Sequence, residues 1–154
     1  MRIAAALMAC ALMGCAHEPS LVGAWRLERY VDTPDGEAPI EAFGAHPVGL
    51  FVFSADGRAS VNIMRNPPGA AGEVADPDPD ACVPDWYCSY FGAYSVDWTK
   101  RSWTIHVEGG NIASFIGTDQ TRSFSLKGDR LVLRDAYTDG SRTIRTERVL
   151  VRTR

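Results

Sequence analysis

Two short stretches bring together side chains able to do chemistry. The first, WTIHVEGGN over Trp103–Asn111, sets His106 and Glu108 two residues apart. In an extended strand that spacing puts both on one face. An imidazole titrating near neutrality beside a carboxylate can act as a base with its orienting partner. Equally, the two can serve as hydrogen-bonding contacts for a ligand. The second, TDQTR at 118–122, sets Gln120 and Arg122 two apart, in phase with Phe124 and Leu126. A polar pair in phase with apolar residues is expected inside, where a guanidinium beside an amide suits a carboxylate or carbonyl group. Asn111, just beyond the first stretch, extends the same polar set.

Other chemistries find little support. There is no GxSxG elbow and no phosphate-cradling glycine loop; Gly109-Gly110 ends a strand. The histidines, His17, His46 and His106, have no zinc spacing. The aspartates of ADPDPDAC could offer oxygens to calcium, but prolines stiffen the run and no later glutamate completes a cage. No metal and no cofactor are therefore expected. The formal charge is −3 and no basic tract occurs, so no nucleic-acid partner is expected either.

The elements that must position these residues read as strands. Val22–Asp32, Val48–Ser54, Ala59–Arg65, Tyr90–Trp98, Ser102–Glu108, Thr118–Leu126, Arg130–Tyr137 and Ser141–Arg152 carry strand patterning. Short turns such as Ala55-Asp56-Gly57, Lys127-Gly128-Asp129 and Thr138-Asp139-Gly140 join neighbours. Eight consecutive antiparallel strands predict an all-β, up-and-down barrel, which has no free edge and can hold one small ligand. The proline-rich stretch Asn66–Ser89 interrupts them as one long loop. In the hairpin Tyr90–Glu108, the preferred register sets Tyr94 and Val96 beside Ile105 and Trp103. Ala93, Ser95 and Asp97 then share the other face with Thr104, His106 and Glu108. Alternation alone turns the apolar face inward and leaves His106 and Glu108 in solvent.

The amino-terminal MRIAAALMACALMGC has an early arginine, a short apolar run and a small residue before cysteine, the layout of an export signal. Leu12-Met13-Gly14-Cys15 looks like a bacterial lipoprotein box, with Cys10 a rival. That resemblance implies a signal over 1–14, a lipidated Cys15, a tether over 15–20 and a domain over 21–154. With no aspartate after Cys15, it also implies the outer membrane, facing the periplasm. Acyl chains anchor at about 0.8 kcal/mol per buried methylene. In an exported chain, Cys82 and Cys88 are expected to form a disulfide that staples the long loop, worth about 2 kcal/mol.

LVGAW at 21–25 opens like the GxW start of lipocalins. With HPVGLFVFSADGRASVNIMR, YFGAYSVD and HVEGGNIASFIGTDQTRSFSLKGDRLVL following in order, the chain resembles the bacterial lipocalin-like domain family over nearly all its length after the signal. The resemblance implies a calycin-type barrel with an internal cup and says little of activity. It also implies that Trp25 packs at the closed end under an arginine, Arg152 or its rival Arg148. It turns the polar cluster inward, so that Tyr94, His106, Glu108, Asn111, Gln120 and Arg122 are the expected ligand contacts. The leading expectation is a membrane-anchored, monomeric protein that binds a small, mainly apolar or amphiphilic molecule. The alternatives are a barrel enzyme (isomerase, cyclase or hydrolase) using His106 and Glu108, and an envelope interaction protein with no ligand.

Overall fold

The computed structural model describes residues 19–66 and 87–154. The export signal, Cys15, Cys82 and most of the proline-rich loop lie outside them. Eight strands follow in chain order: β1 (Gly23–Pro34), β2 (Val48–Phe53), β3 (Arg58–Met64), β4 (Tyr87–Asp97), β5 (Ser102–Gly110), β6 (Asp119–Lys127), β7 (Arg130–Asp139) and β8 (Arg142–Arg152). Each pairs antiparallel with the next, and β8 returns to β1, so the sheet is a closed up-and-down barrel. Closure leaves no unpaired edge. β4 starts at Tyr87, earlier than the proline-rich composition suggested. Its first residues ladder with the end of β3, Met64 with Tyr87 and Ile63 with Cys88.

The interior is filled by every second residue of each strand. Trp25 and Leu27 of β1, Phe51 and Phe53 of β2, Val61 of β3 and Trp103, Ile105 and Val107 of β5 are all buried. Leu131 and Leu133 of β7 and Leu150 of β8 complete this wall. The β4–β5 ladder sets Tyr94 opposite Ile105, Val96 opposite Trp103 and Ala93 opposite His106. The apolar face of that hairpin is therefore the inner one.

Two irregularities decide which residues reach the interior. In β1 the register with β8 shifts between Leu27 and Arg29. Before it, Trp25 and Leu27 point inward; after it, Tyr30 and Asp32 do. In β4 the register with β5 shifts between Phe91 and Gly92. A Cβ on Gly92 would lie 1.8 Å from the carbonyl oxygen of His106, so only glycine fits there.

One end of the barrel is closed by Trp25. The guanidinium of Arg152 lies 4.0 Å above its ring, and the indole donates to the carbonyl of Leu21 at 2.8 Å. Arg152 also donates to the carbonyls of Val22 (2.6 Å) and Ser20 (2.8 Å). At the other end, Phe43 of the β1–β2 connection packs edge-on against Tyr30. Phe115, from a short 3-10 turn at Ala113–Phe115, packs edge-on against Tyr90.

Gly92→Ala is expected to destabilise the fold by at least about 2–3 kcal/mol, because the clash is with backbone that cannot move without breaking the ladder. Urea unfolding of the two proteins measures the difference.

Candidate functional site

The ladder sets a row of unlike residues side by side on the inner surface. Trp103 of β5 lies opposite Arg122 of β6. The ion pair from Arg122 Nε to Asp135 Oδ2 carries the row onto β7. Asp135 lies opposite Thr146 of β8, and Thr146 opposite Asp32 of β1. Arg148, the next inward residue of β8, lies opposite Tyr30 and Leu133. Asp32, Arg122, Thr146 and Arg148 are the buried polar and charged residues of the described chain. Four of the eight strands thus bring charged groups to one place.

Asp135 is the hub. Its Oδ2 faces Arg122, and its Oδ1 accepts from Arg148 Nη1 at 2.8 Å and from the hydroxyl of Thr146. Arg148 reaches on to the Tyr30 hydroxyl at 3.1 Å, and its guanidinium lies 4.8 Å from the Tyr30 ring centre. Burial pushes the Tyr30 phenol up, against the pull of Arg148, so it stays protonated. Arg122 donates to the carbonyl of Thr121 at 3.0 Å and, at a long 3.4 Å, to Gln120 Oε1.

Asp32 is held differently. Its backbone exchanges two hydrogen bonds with Ile40, at 2.9 and 2.7 Å, which fixes its position. Burial pushes its carboxyl up to about 6; Arg148 and a hydrogen bond from Tyr137 pull it down, and Asp135 adds to the rise. Being raised, this group stabilises the fold fully only below its unfolded value, and the contribution is lost as pH rises through about 6.

Among the described residues, three buried side-chain atoms lack a hydrogen-bond partner: Asp32 Oδ1, Trp103 Nε1 and Arg122 Nε. The last contacts Asp135 as an ion pair without its N–H being aligned. Buried polar atoms are rarely left so. All three belong to the one row: Asp32 Oδ1 is an acceptor, Trp103 Nε1 a donor, and Arg122 Nε faces Asp135.

The residues singled out by sequence are dispersed by the barrel. Arg122 and Gln120 face inward and belong to this cluster. Tyr94 also lies on the inner face, but toward the Trp25 end, its hydroxyl donating to the carbonyl of Ser54 at 3.1 Å. His106 and Glu108 point outward. His106 Nδ1 lies 2.8 Å from Asp119 Oδ1, with its side chain 55 % exposed. Glu108 takes a two-pronged ion pair from Arg58, which holds its carboxyl below the usual range. The physical reason is the hairpin register: Trp103, Ile105 and Val107 take the inner positions of β5, so the residues between them face water. Asn111 ties strands together, accepting from the Ser89 N–H and donating to the Tyr87 carbonyl, each at 2.7 Å. Sequence reasoning missed Asp32, Asp135, Thr146 and Trp103 as site residues. It considered Arg148 only as a partner for Trp25, and Arg148 lies over Tyr30 instead.

A concavity lined by Ser20, Val22, Leu126, Asp129 and Arg152 opens at the Trp25 end. The guanidinium nitrogens of Arg152 are already engaged there, by Val22, Ser20 and Asp129. It is the clamp region rather than the place where unpartnered polar atoms converge.

Compared with known families, residues 22–153 match the family described as lipocalin-like domain. The chain belongs to the lipocalin-like domain family. The matched span takes in all eight strands and every member of the charged row. A comparison with curated proteins found no match. The row runs obliquely along the inner wall of the barrel: Trp103 packs edge-on against Phe53 near the Trp25 end, and Asp32, bridged to Ile40, lies toward the other.

Arg122→Ala would leave Asp135 short of a buried counter-charge and is expected to cost about 3–5 kcal/mol. His106→Gln, on the wet outer face, should change stability by less than about 0.5 kcal/mol. Thermal or denaturant unfolding of the two variants tests the contrast; equal effects would contradict the assignment of faces.

Proposed function

We propose that this lipocalin-like protein binds a small amphiphilic molecule, with the molecule's polar group in the row Trp103–Arg122–Asp135–Thr146–Asp32. The observation that carries the reading is the coincidence of three unpartnered buried polar atoms on that row. A ligand group that donates to Asp32 Oδ1 would satisfy the row's buried acceptor. The apolar part would lie toward Tyr90, Phe43 and Phe115. The Trp25 end is closed to it, because Trp25, Phe51, Phe53, Leu131 and Leu150 already fill that half. A packed lower half favours a compact ligand over a long-chain one. The enzyme reading built on His106 and Glu108 loses its support, since both side chains face solvent, engaged with Asp119 and Arg58.

The protein is further proposed to be exported, lipidated at Cys15 and held at the outer membrane as a monomer, with the barrel facing the periplasm. The lipoprotein box and the apolar run before it support this. Cys82 is the proposed disulfide partner of Cys88. The buried position of Cys88 on β4, beside the described end of the proline-rich loop, fits that pairing.

Native mass spectrometry of protein purified without denaturation should detect a co-purifying small molecule. That molecule should be lost from Asp32→Leu or Trp103→Phe protein that remains folded. A parent protein that carries nothing, and whose melting temperature no member of a metabolite collection raises, would contradict the reading. Separately, Cys15→Ser should move the protein from the membrane fraction to the soluble one; a variant that still pellets after a salt wash would refute the anchor.

A further inference from the structure

Charge is distributed unevenly between the two ends of the barrel. The Trp25 end is built from the turns at 54–57, 98–101 and 128–129 and from the chain segments at 19–22 and 153–154. Arg26, Arg58, Lys100, Arg101, Lys127, Arg130, Arg152 and Arg154 stand on or beside this rim, with the carboxylates Glu28, Asp56, Asp97 and Asp129. Eight basic side chains thus meet four acidic ones, in a chain whose formal charge is −3. Glu28 pairs with Arg26 and Arg130, Asp97 with Lys100, and Asp129 with Arg152 and Arg154. Such solvent-facing pairs are weak and leave the surplus uncancelled. Among the described residues, Arg101 and Lys127 are exposed and pair with no carboxylate. The opposite end carries Asp35, Glu37, Glu41 and Asp119, and its Arg142 and Arg145 are tied to Glu37 and Asp35.

The chain enters the barrel at the basic end. Arg152 holds the carbonyls of Val22 and Ser20, and Pro19 and Ser20 line a concavity with Gly128 and Asp129. Pro19 stands four residues after Cys15, a span of at most about 14 Å when extended. The field of a charged surface decays over about 8 Å at physiological salt. An anchor at Cys15 therefore keeps this rim within reach of the headgroup field, and the tether is too short to present the far end to the same surface while the rim stays away.

We propose that the Trp25 end is a membrane-contact face, its basic rim held against anionic lipid headgroups. This rests on the lipidation of Cys15 proposed above and is independent of the ligand-binding reading. Each arginine or lysine brought to an anionic surface beside an anchor strengthens the contact about fivefold. The anchor supplies proximity and the rim supplies orientation. The end covered by Phe43 and Phe115 points away from the bilayer, where its carboxylates are not repelled by the headgroups.

The chain's two lysines, Lys100 and Lys127, both lie on this rim, so a water-soluble amine reagent reports that end. The test uses the protein purified from the membrane fraction and returned to vesicles of phosphatidylcholine, with or without added phosphatidylglycerol. Peptide mass spectrometry reads the extent of modification at each lysine. Both should react at least about fivefold more slowly on the anionic vesicles. Salt at about 1 M should remove the difference, because it shortens the reach of the field. The variant Glu41→Lys places a reporter at the far end, and position 41 should react alike on both vesicles. Replacing Arg101→Gln together with Arg154→Gln should restore much of the reactivity of Lys100 and Lys127. Equal reactivity of these lysines on the two vesicles, or equal protection at position 41, would overturn the proposal. Intact mass reads the anchor separately. An acylated protein whose lysines are not protected loses the face and keeps the anchor. A protein without acyl chains that binds neither vesicle loses both. One that binds anionic vesicles alone, with Lys100 and Lys127 protected, loses the anchor and keeps the face.

Discussion

Two guanidinium groups held close together inside a β-barrel repel each other and lose their water, and the carboxylate of Asp135 is what makes their burial tolerable. It faces Arg122 across the β6–β7 ladder and Arg148 across β7–β8, with the hydroxyl of Thr146 filling its remaining direction. Removing it would leave two unpaired buried cations, a loss on the scale of several kcal/mol. The same contact stitches β6, β7 and β8 together at the end of the barrel where aromatic side chains from two connecting segments, Phe43 and Phe115, form the cover. A site of this kind is therefore part of the structure's stability as well as its chemistry. Because Asp135 is committed to that task, the less satisfied members of the row are Asp32 and Trp103, and the proposed function gives them the ligand.

Much of the fold could be read from the sequence because one face of each strand is buried and alternation reports it. The eight strands, their order and the β4–β5 register follow from placing Tyr94, Val96, Trp103 and Ile105 on a common apolar face. The site was only half legible. Arg122 and Gln120 were visible because they keep phase with Phe124 and Leu126. Asp135 keeps phase with Leu131 and Leu133, and Arg148 with Ile144 and Leu150, so the same signal lay in β7 and β8. A single in-phase charge in each strand is a weaker signal than the closely spaced pairs of β5 and β6. Asp32 could not be found by alternation at all. Counting by twos from Trp25 and Leu27 puts it outside, and only the register shift after Leu27 turns it in. His106 and Glu108 are the converse case: the alternation placed them in water, and the expectation drawn from resemblance moved them inward.

Membership of the lipocalin-like domain family accounts for the barrel and for the possibility of an internal ligand, but not for which molecule is held. The distinguishing features are local. The Trp25–Arg152 stack closes one end and uses its polar groups up, while the charged row on the inner wall keeps three atoms unmatched. Under the proposed function the clamp stabilises and the row recognises.

The most direct measurement of that division is the set of indole N–H resonances in a two-dimensional nitrogen–proton NMR spectrum, followed as the co-purifying small molecule is removed and returned. Trp103 Nε1 lies on the proposed recognition row without a partner, whereas Trp25 Nε1 is bonded to the Leu21 carbonyl in the clamp. The Trp103 signal should move on binding while that of Trp25 stays in place. A ligand that shifts Trp25 and leaves Trp103 untouched would place recognition at the Trp25 clamp and contradict the account.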